Sequence, residues 1–152
     1  MSGRGGSRGG SRSSASNKVT TRQARNTVKV IQSLGLAKNN SRLMKASSDY
    51  EKNIGTAQTG VERNRDEIRD LPDEIERASM RGQPQLEEEL GHSLETTRPA
   101  EQKMYQKWIN RLEGNLTREA QRVMTEKGIA NLVPKDREIT DDDINTIKAH
   151  FH

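Results

Sequence analysis

Between Tyr50 and Leu71, apolar and small residues return at alternating intervals of four and three: Tyr50, Ile54, Ala57, Val61, Asn64, Ile68 and Leu71. That spacing is the heptad seam of an α-helix, sustained for three repeats. The same register extends backwards through Ser47, Leu43, Asn40 and Leu36 with weaker occupants. Ala57 and Asn64 on the seam, with Gly55 and Gly60 beside it, predict a close helix neighbour at modest stability. An Asn at such a position fixes register. Two readings fit: a coiled coil between copies of the chain, with these seven residues as the oligomer seam, or an amphipathic helix packed within its own monomer.

Upstream, Ala24, Val28 and Ile31 recur at i, i+4 and i+7 behind a hydroxyl cap at Thr20 or Thr21. Arg22, Arg25 and Lys29 flank that stripe, giving an amphipathic helix with a basic side. Leu34-Gly35-Leu36 and Asn39-Asn40-Ser41 predict a bend or short gap. Residues 19–71 thus read as one long amphipathic helical region, basic in its first half and carrying the seam over 50–71.

Downstream, the ring of Pro72 clashes with a helical residue before it, so the helix is expected to end or kink at Leu71-Pro72. Residues 72–95 read as short acidic helices, broken at Gly82-Gln83-Pro84. Leu86, Leu90 and Leu94 form the apolar face of the second, and Glu87-Glu88-Glu89 its exposed one, a run that could dock the basic arm. Thr96-Thr97-Arg98-Pro99 predicts a fresh helix start. A stripe then runs from Met104 through Trp108, Leu112, Leu116 and Val123 to a stop at Lys127-Gly128, with Ile129 folding back. This helix, residues 96–128, holds the single Trp. In the last segment, 129–152, Thr140 caps a first turn of Asp141, Asp142 and Asp143 ahead of Ile144, Ile147 and Phe151.

Composition narrows the class to all-α. Hydrophobic residues make up 29%, aromatics 3% and charged residues 32%. Such a chain has little with which to fill a broad core, and elongated helices burying a narrow seam, as a coiled coil or a helical bundle, suit it. The absence of cysteine excludes disulfides, thiolate zinc sites and thiol nucleophiles. No apolar run approaches about 18 residues, so no membrane span is expected. The N-terminus is Gly, Ser and Arg where a secretory leader needs an apolar stretch. The expected location is intracellular, in cytoplasm or nucleus, or within a virus particle, without secretion by a signal peptide.

Charge changes the picture most. The first forty-eight residues carry ten cations, Arg4, Arg8, Arg12, Lys18, Arg22, Arg25, Lys29, Lys38, Arg42 and Lys45, and no carboxylate. The other sixteen Lys and Arg face all twenty-two acids, so a modest overall +4 conceals an arm of +10 on a body of −6. Residues 1–18 form a Gly/Ser/Arg tail with two Arg-Gly-Gly copies, too polar to offset the entropy of ordering, and are expected to be disordered. Guanidinium groups on a glycine-rich backbone suit phosphates and stacked bases of single strands.

The reading that follows is a non-enzymatic structural protein that binds RNA or DNA with little sequence preference through those ten cations. Its helices would form a homo-oligomer or part of a larger assembly, such as a virus particle or nucleoprotein-type component. If six to ten cations meet phosphates, affinity falls with a log–log salt slope of roughly −5 to −9. The alternative is a coiled-coil tethering subunit whose arm meets anionic lipid or an acidic protein. No catalytic residue, metal ligand or cofactor is expected. His150 and His152 are two apart and close no ligand set, and no phosphate loop or nucleophile elbow is present.

Overall fold

A computed structural model describes residues 20–151, and among them every regular element is helical. In order these are α1 (Arg22–Leu34), α2 (Ser41–Met80), α3 (Pro84–His92), a π-helical segment (Ser93–Thr97), α4 (Arg98–Glu126), a 3-10 turn (Ala130–Leu132) and α5 (Asp141–His150). The all-α expectation is met; the tail, residues 1–18, lies outside the described residues. The chain divides into two compact units, Met1–Ile54 with Asn110–His152, and Gly55–Ile109. Each unit takes part of α2 and part of α4.

In the first unit, the Thr21 hydroxyl accepts from the Ala24 amide at 3.1 Å and starts α1. Gly35, at φ 65°, stops it. The Leu36 amide then reaches back to the Ile31 carbonyl at 3.2 Å, and both side chains are buried. The inward face of α1 is Ala24, Thr27, Val30 and Ile31 with Asn26, while Val28 is only half-buried. The expected stripe through Val28 is therefore rotated toward Asn26, a polar residue that apolar periodicity does not count. Asn39, at φ 64°, turns the chain, and the Asn40 side chain accepts from the Leu43 amide to open α2. At the far end, Gly128 (φ 74°) lets the Ile129 amide bond the Met124 carbonyl at 3.0 Å, and Ile129 is fully buried. Thr140 and Asp143 cap α5 reciprocally, each side chain bonding the other's amide. Leu43, Leu116, Ile129, Ile147 and Val30 are sealed from solvent, each contributing about 1.5–3 kcal/mol by burial.

In the second unit, α2 does not end at Pro72 but continues to Met80. A prolyl ring within a helix costs about 3 kcal/mol through its missing bond and its clash. Pro72 is exposed, whereas Leu71 before it and Ala78 beyond it are buried, and their burial holds the chain helical across the defect. The stop comes at Gly82 (φ 66°), where the Gln83 amide bonds the Ala78 carbonyl at 3.0 Å and Pro84 begins α3. The fresh start expected at Thr96 is also absent. Helix continues from α3 through the π segment into α4, and the Arg98 amide reaches the Ser93 carbonyl five residues back. The wider turn accommodates Pro99, which has no amide to give.

Candidate nucleic-acid interface

The ten cations of the arm fall into distinct environments. Arg4, Arg8, Arg12 and Lys18 lie outside the described residues. Arg22, Arg25 and Lys29 face an irregular strap, residues 133–140, and the start of α5. Arg22 Nη1 donates to the Asp136 carbonyl at 2.6 Å, and its Nε stands 3.8 Å from Glu138. Arg25 bonds the same Glu138 carboxylate, and its Nη1 donates to the Thr20 carbonyl at 2.8 Å. Lys29 Nζ is 3.4 Å from Asp141. The hydrogen bond and charge of Arg25, with the charge of Arg22, hold the Glu138 carboxyl below its ordinary range.

Asn26, only 1% exposed, pins this strap. Its Nδ2 donates to the carbonyls of Pro134 and Arg137 at 3.0 and 2.9 Å, and its Oδ1 accepts from the Ile139 amide at 2.9 Å. The acids meeting the basic helix are therefore those of the chain's C-terminal part. Glu88 and Glu89 of the acidic run are exposed.

Lys38 lines a cleft of about 410 Å3 with Leu34, Leu36, Val123, Lys127 and Phe151. The C-terminal ends of α1 and α4 meet here, and the negative ends of their dipoles favour cations over phosphates. Lys127 stands over the Phe151 ring at 5.9 Å.

Arg42 and Lys45 lie on the first turns of α2 in another cleft, of about 280 Å3, shared with Ala46, Asp49, Asn115, Arg118 and Glu119. At its floor Glu119, whose side chain is 10% exposed, is 3.1 Å from Arg42 Nη2, 2.9 Å from Arg122 Nη2 and 4.0 Å from Arg118 Nε. The Arg122 hydrogen bond, more than the Arg42 charge, pulls the Glu119 carboxyl below its ordinary range. Sequence reading missed Arg118 and Arg122 because it stopped at the acid-free block. The available signal was their i, i+4 spacing on α4, which places both on one helix face.

Along the seam, Tyr50, Ala57, Val61, Asn64 and Leu71 are buried, and Ile54 and Ile68 half-buried, inside a single chain. In the second unit, Asn64 Nδ2 donates to the Gly60 carbonyl at 2.8 Å, and Arg98 Nη1 donates to Asn64 Oδ1 at 3.1 Å. Arg98 is also paired with Glu67 and Glu101, each at 2.8 Å. Tyr105 crosses over Gly60, where an added Cβ would lie 2.5 Å from the ring. Tyr105 and Trp108 are half-buried and stacked, with centroids 6.4 Å apart, so the single Trp packs at the edge of the core instead of its centre.

Among the described residues no group of His, Asp and Glu is placed to hold a metal ion, and no helix is long and apolar enough to cross a membrane. Three guanidinium groups gather on the Glu119 carboxylate, and those of Arg42 and Arg118 are exposed. A scan against known protein families finds no match, and no curated protein or solved structure matches the chain significantly.

Proposed function

We propose that this chain is a non-enzymatic nucleic-acid-binding assembly protein whose basic arm engages backbone phosphates with little sequence preference. The observation that carries this reading is the sequence of the arm, ten cations before the first carboxylate at Asp49. A one-signed block of this size draws a polyanion by releasing its counterions, a term indifferent to sequence. The strap supplies counter-charges for Arg22 and Arg25, and Asp141 at the start of α5 supplies one for Lys29. Of the seven other cations of the arm, Lys38 sits where two helix C-termini meet and six remain for phosphates, so the expected salt slope on a single strand is roughly −4.

Assembly is the second half of the reading. Because seam positions are already covered within one chain, copies are expected to gather on a shared polyanion instead of pairing through the seam. Light scattering then shows a larger mass only when nucleic acid is added.

The test uses the full chain with Arg4, Arg8, Arg12 and Lys18 all replaced by glutamine. Mobility shift with single-stranded RNA near physiological salt is expected to weaken by at least roughly a hundredfold, with the salt slope shallower by roughly 3. Unchanged affinity and slope sink the proposal. Undiminished capture on anionic vesicles, with no RNA shift in the parent, favours the tethering alternative.

A further inference from the structure

The charge around Glu119 is out of balance in a way that stability does not explain. Arg42, Lys45, Arg118 and Arg122 surround Glu119 and Asp49, and Arg122 also reaches Glu126 at 3.6 Å, leaving a local excess of one positive charge. Like charges this close repel, and exposed pairs of this kind return at most about 1 kcal/mol each. A chain that needed only to satisfy Glu119 could do so with one arginine.

The donors are also left facing outward. The side chains of Arg42 and Arg118 are 68% and 69% exposed. Arg42 gives one donor to Glu119, and Arg118 gives one to Asn115 Oδ1 at 2.8 Å. Each guanidinium has five N–H groups in a fixed fork, so most of each fork remains for a planar or tetrahedral oxyanion. Arg122 Nε is buried without a hydrogen-bond partner among the described residues. The cleft lies on the opening turns of α2, a helix with no acid in its first turn, and the positive end of its dipole adds to the same field. Its volume of about 280 Å3 suits a phosphate group and falls below the usual range for enclosing a whole small molecule.

We infer that Arg42, Lys45 and Arg118 form a phosphodiester-binding groove on the body of the first unit, with Glu119 as the positioning residue that holds the guanidinium groups side by side. This deepens the nucleic-acid reading and rests on it. The groove adds two body residues, Arg118 and the buttressing Arg122, to the arm, and gives the strand a fixed seat where the arm alone provides only diffuse attraction. A seat made by forked donors distinguishes arginine from lysine, which mere charge does not.

The experiment compares full-length proteins binding a single-stranded RNA oligomer across a salt series. The Arg42→Gln/Arg118→Gln variant is expected to lose roughly tenfold in affinity and about 1.4 in salt slope, the share of two phosphate contacts on a single strand. Arg42→Lys/Arg118→Lys keeps the slope but loses several-fold in affinity. Arg69→Gln, in the other unit, removes one exposed charge and sets the scale for net charge alone. Far-UV helicity must match the parent for each. Equal losses per charge at Arg69 and in the groove, or no loss in the groove, overturn the inference, as does full recovery by lysine. If the groove variants lose vesicle binding and not RNA binding, the site belongs to a lipid headgroup and the inference fails. The arm variant described above fails or succeeds separately, because an inert groove with an active arm leaves the nucleic-acid reading standing.

Discussion

Two asparagines, Asn26 in the first unit and Asn64 in the second, are each 1% exposed, and the difference between their partners separates the two units. Asn26 serves three backbone groups of a strap more than a hundred residues away in sequence. Asn64 serves the carbonyl one turn before it in its own helix and a guanidinium that has two carboxylates besides. The first unit is thus joined by buried polar contacts across long separations, over a core that includes Leu43, Leu116, Ile129 and Ile147. The second has a thinner core, Ala57, Val61, Leu71, Ala78 and Ile109, and depends on close helix approach. The described cations of the arm all lie in the first unit, in two different settings. Where irregular chain has to be held, the basic face of α1 is engaged in holding it, and cations open to solvent are found where helix meets helix.

The largest expected effect comes from exchanging each asparagine for leucine. Asn26→Leu leaves two carbonyls and an amide buried without partners, at about 1–3 kcal/mol each, so a loss of about 3–5 kcal/mol is expected in denaturant unfolding. The strap should loosen, seen as faster hydrogen exchange at the Ile139 amide. Arg22, Arg25 and Lys29 would then lose their counter-charges, and RNA affinity should rise several-fold. Asn64→Leu costs much less, about 1 kcal/mol, because the Gly60 carbonyl lies within a helix ladder and Arg98 retains Glu67 and Glu101. Equal costs for the two would erase the distinction between the units.

The next effect tests close approach within the second unit, by the opposite signs of two glycines. An alanine Cβ at Gly60 meets Tyr105 ring atoms at 2.5–2.6 Å, while one at Gly55 meets nothing within 4 Å. Helix propensity favours both changes by about 1 kcal/mol. At Gly55 that gain stands alone, and Gly55→Ala should raise stability by about that amount. At Gly60 overpacking costs about 1–3 kcal/mol and outweighs it, so Gly60→Ala should be destabilising. Thermal midpoints shifting in the same direction for both would show that Tyr105 does not constrain the helix.

These contrasts also mark what could be read in the sequence. The seam over 50–71, the stop at Gly128 with Ile129 folding back, and the Thr140 cap were legible because each follows from local spacing and cap chemistry. Gly55 and Gly60 looked alike, and only Gly60 lies under a ring, since proximity between helices is not encoded in one helix's period. Pro72 and Pro99 were read as boundaries, and both lie within helix: burial of Leu71 and Ala78 outweighs the first defect, and a π turn accommodates the second. The strap was invisible, because residues 133–140 have no period and their anchors on α1, Asn26 with Arg22 and Arg25, are polar residues that apolar periodicity does not count. The basic block marked Arg42 and Lys45 as candidates, whereas Arg118 and Arg122 joined them only once α2 and α4 were set side by side.

The smallest effect concerns Glu113, a buried carboxyl in the first unit whose Oε2 accepts from the Thr21 amide at 2.9 Å. Burial pushes its pKa up, against the opposing pull of the Thr21 hydrogen bond and the Arg25 charge. A carboxyl raised in the folded state binds its proton more readily there than in the unfolded chain. Its contribution to stability is therefore full below the unfolded value, near pH 4, and declines as pH rises through the folded one. Glu113→Gln retains an oxygen for the Thr21 amide and removes the charge. The variant should equal the parent near pH 4 and exceed it at neutral pH, by less than the ~1 kcal/mol of one hydrogen bond. Tyr50 supplies an independent readout, since burial first and then the charge of Glu113 raise its phenol above 10.0. In a Tyr105→Phe background, phenolate absorbance should show Tyr50 titrating lower once Glu113 is neutral. A Tyr50 titration that does not move would mean that the two groups do not share the buried site at the start of α1, and that the first unit's polar joining stops at Asn26.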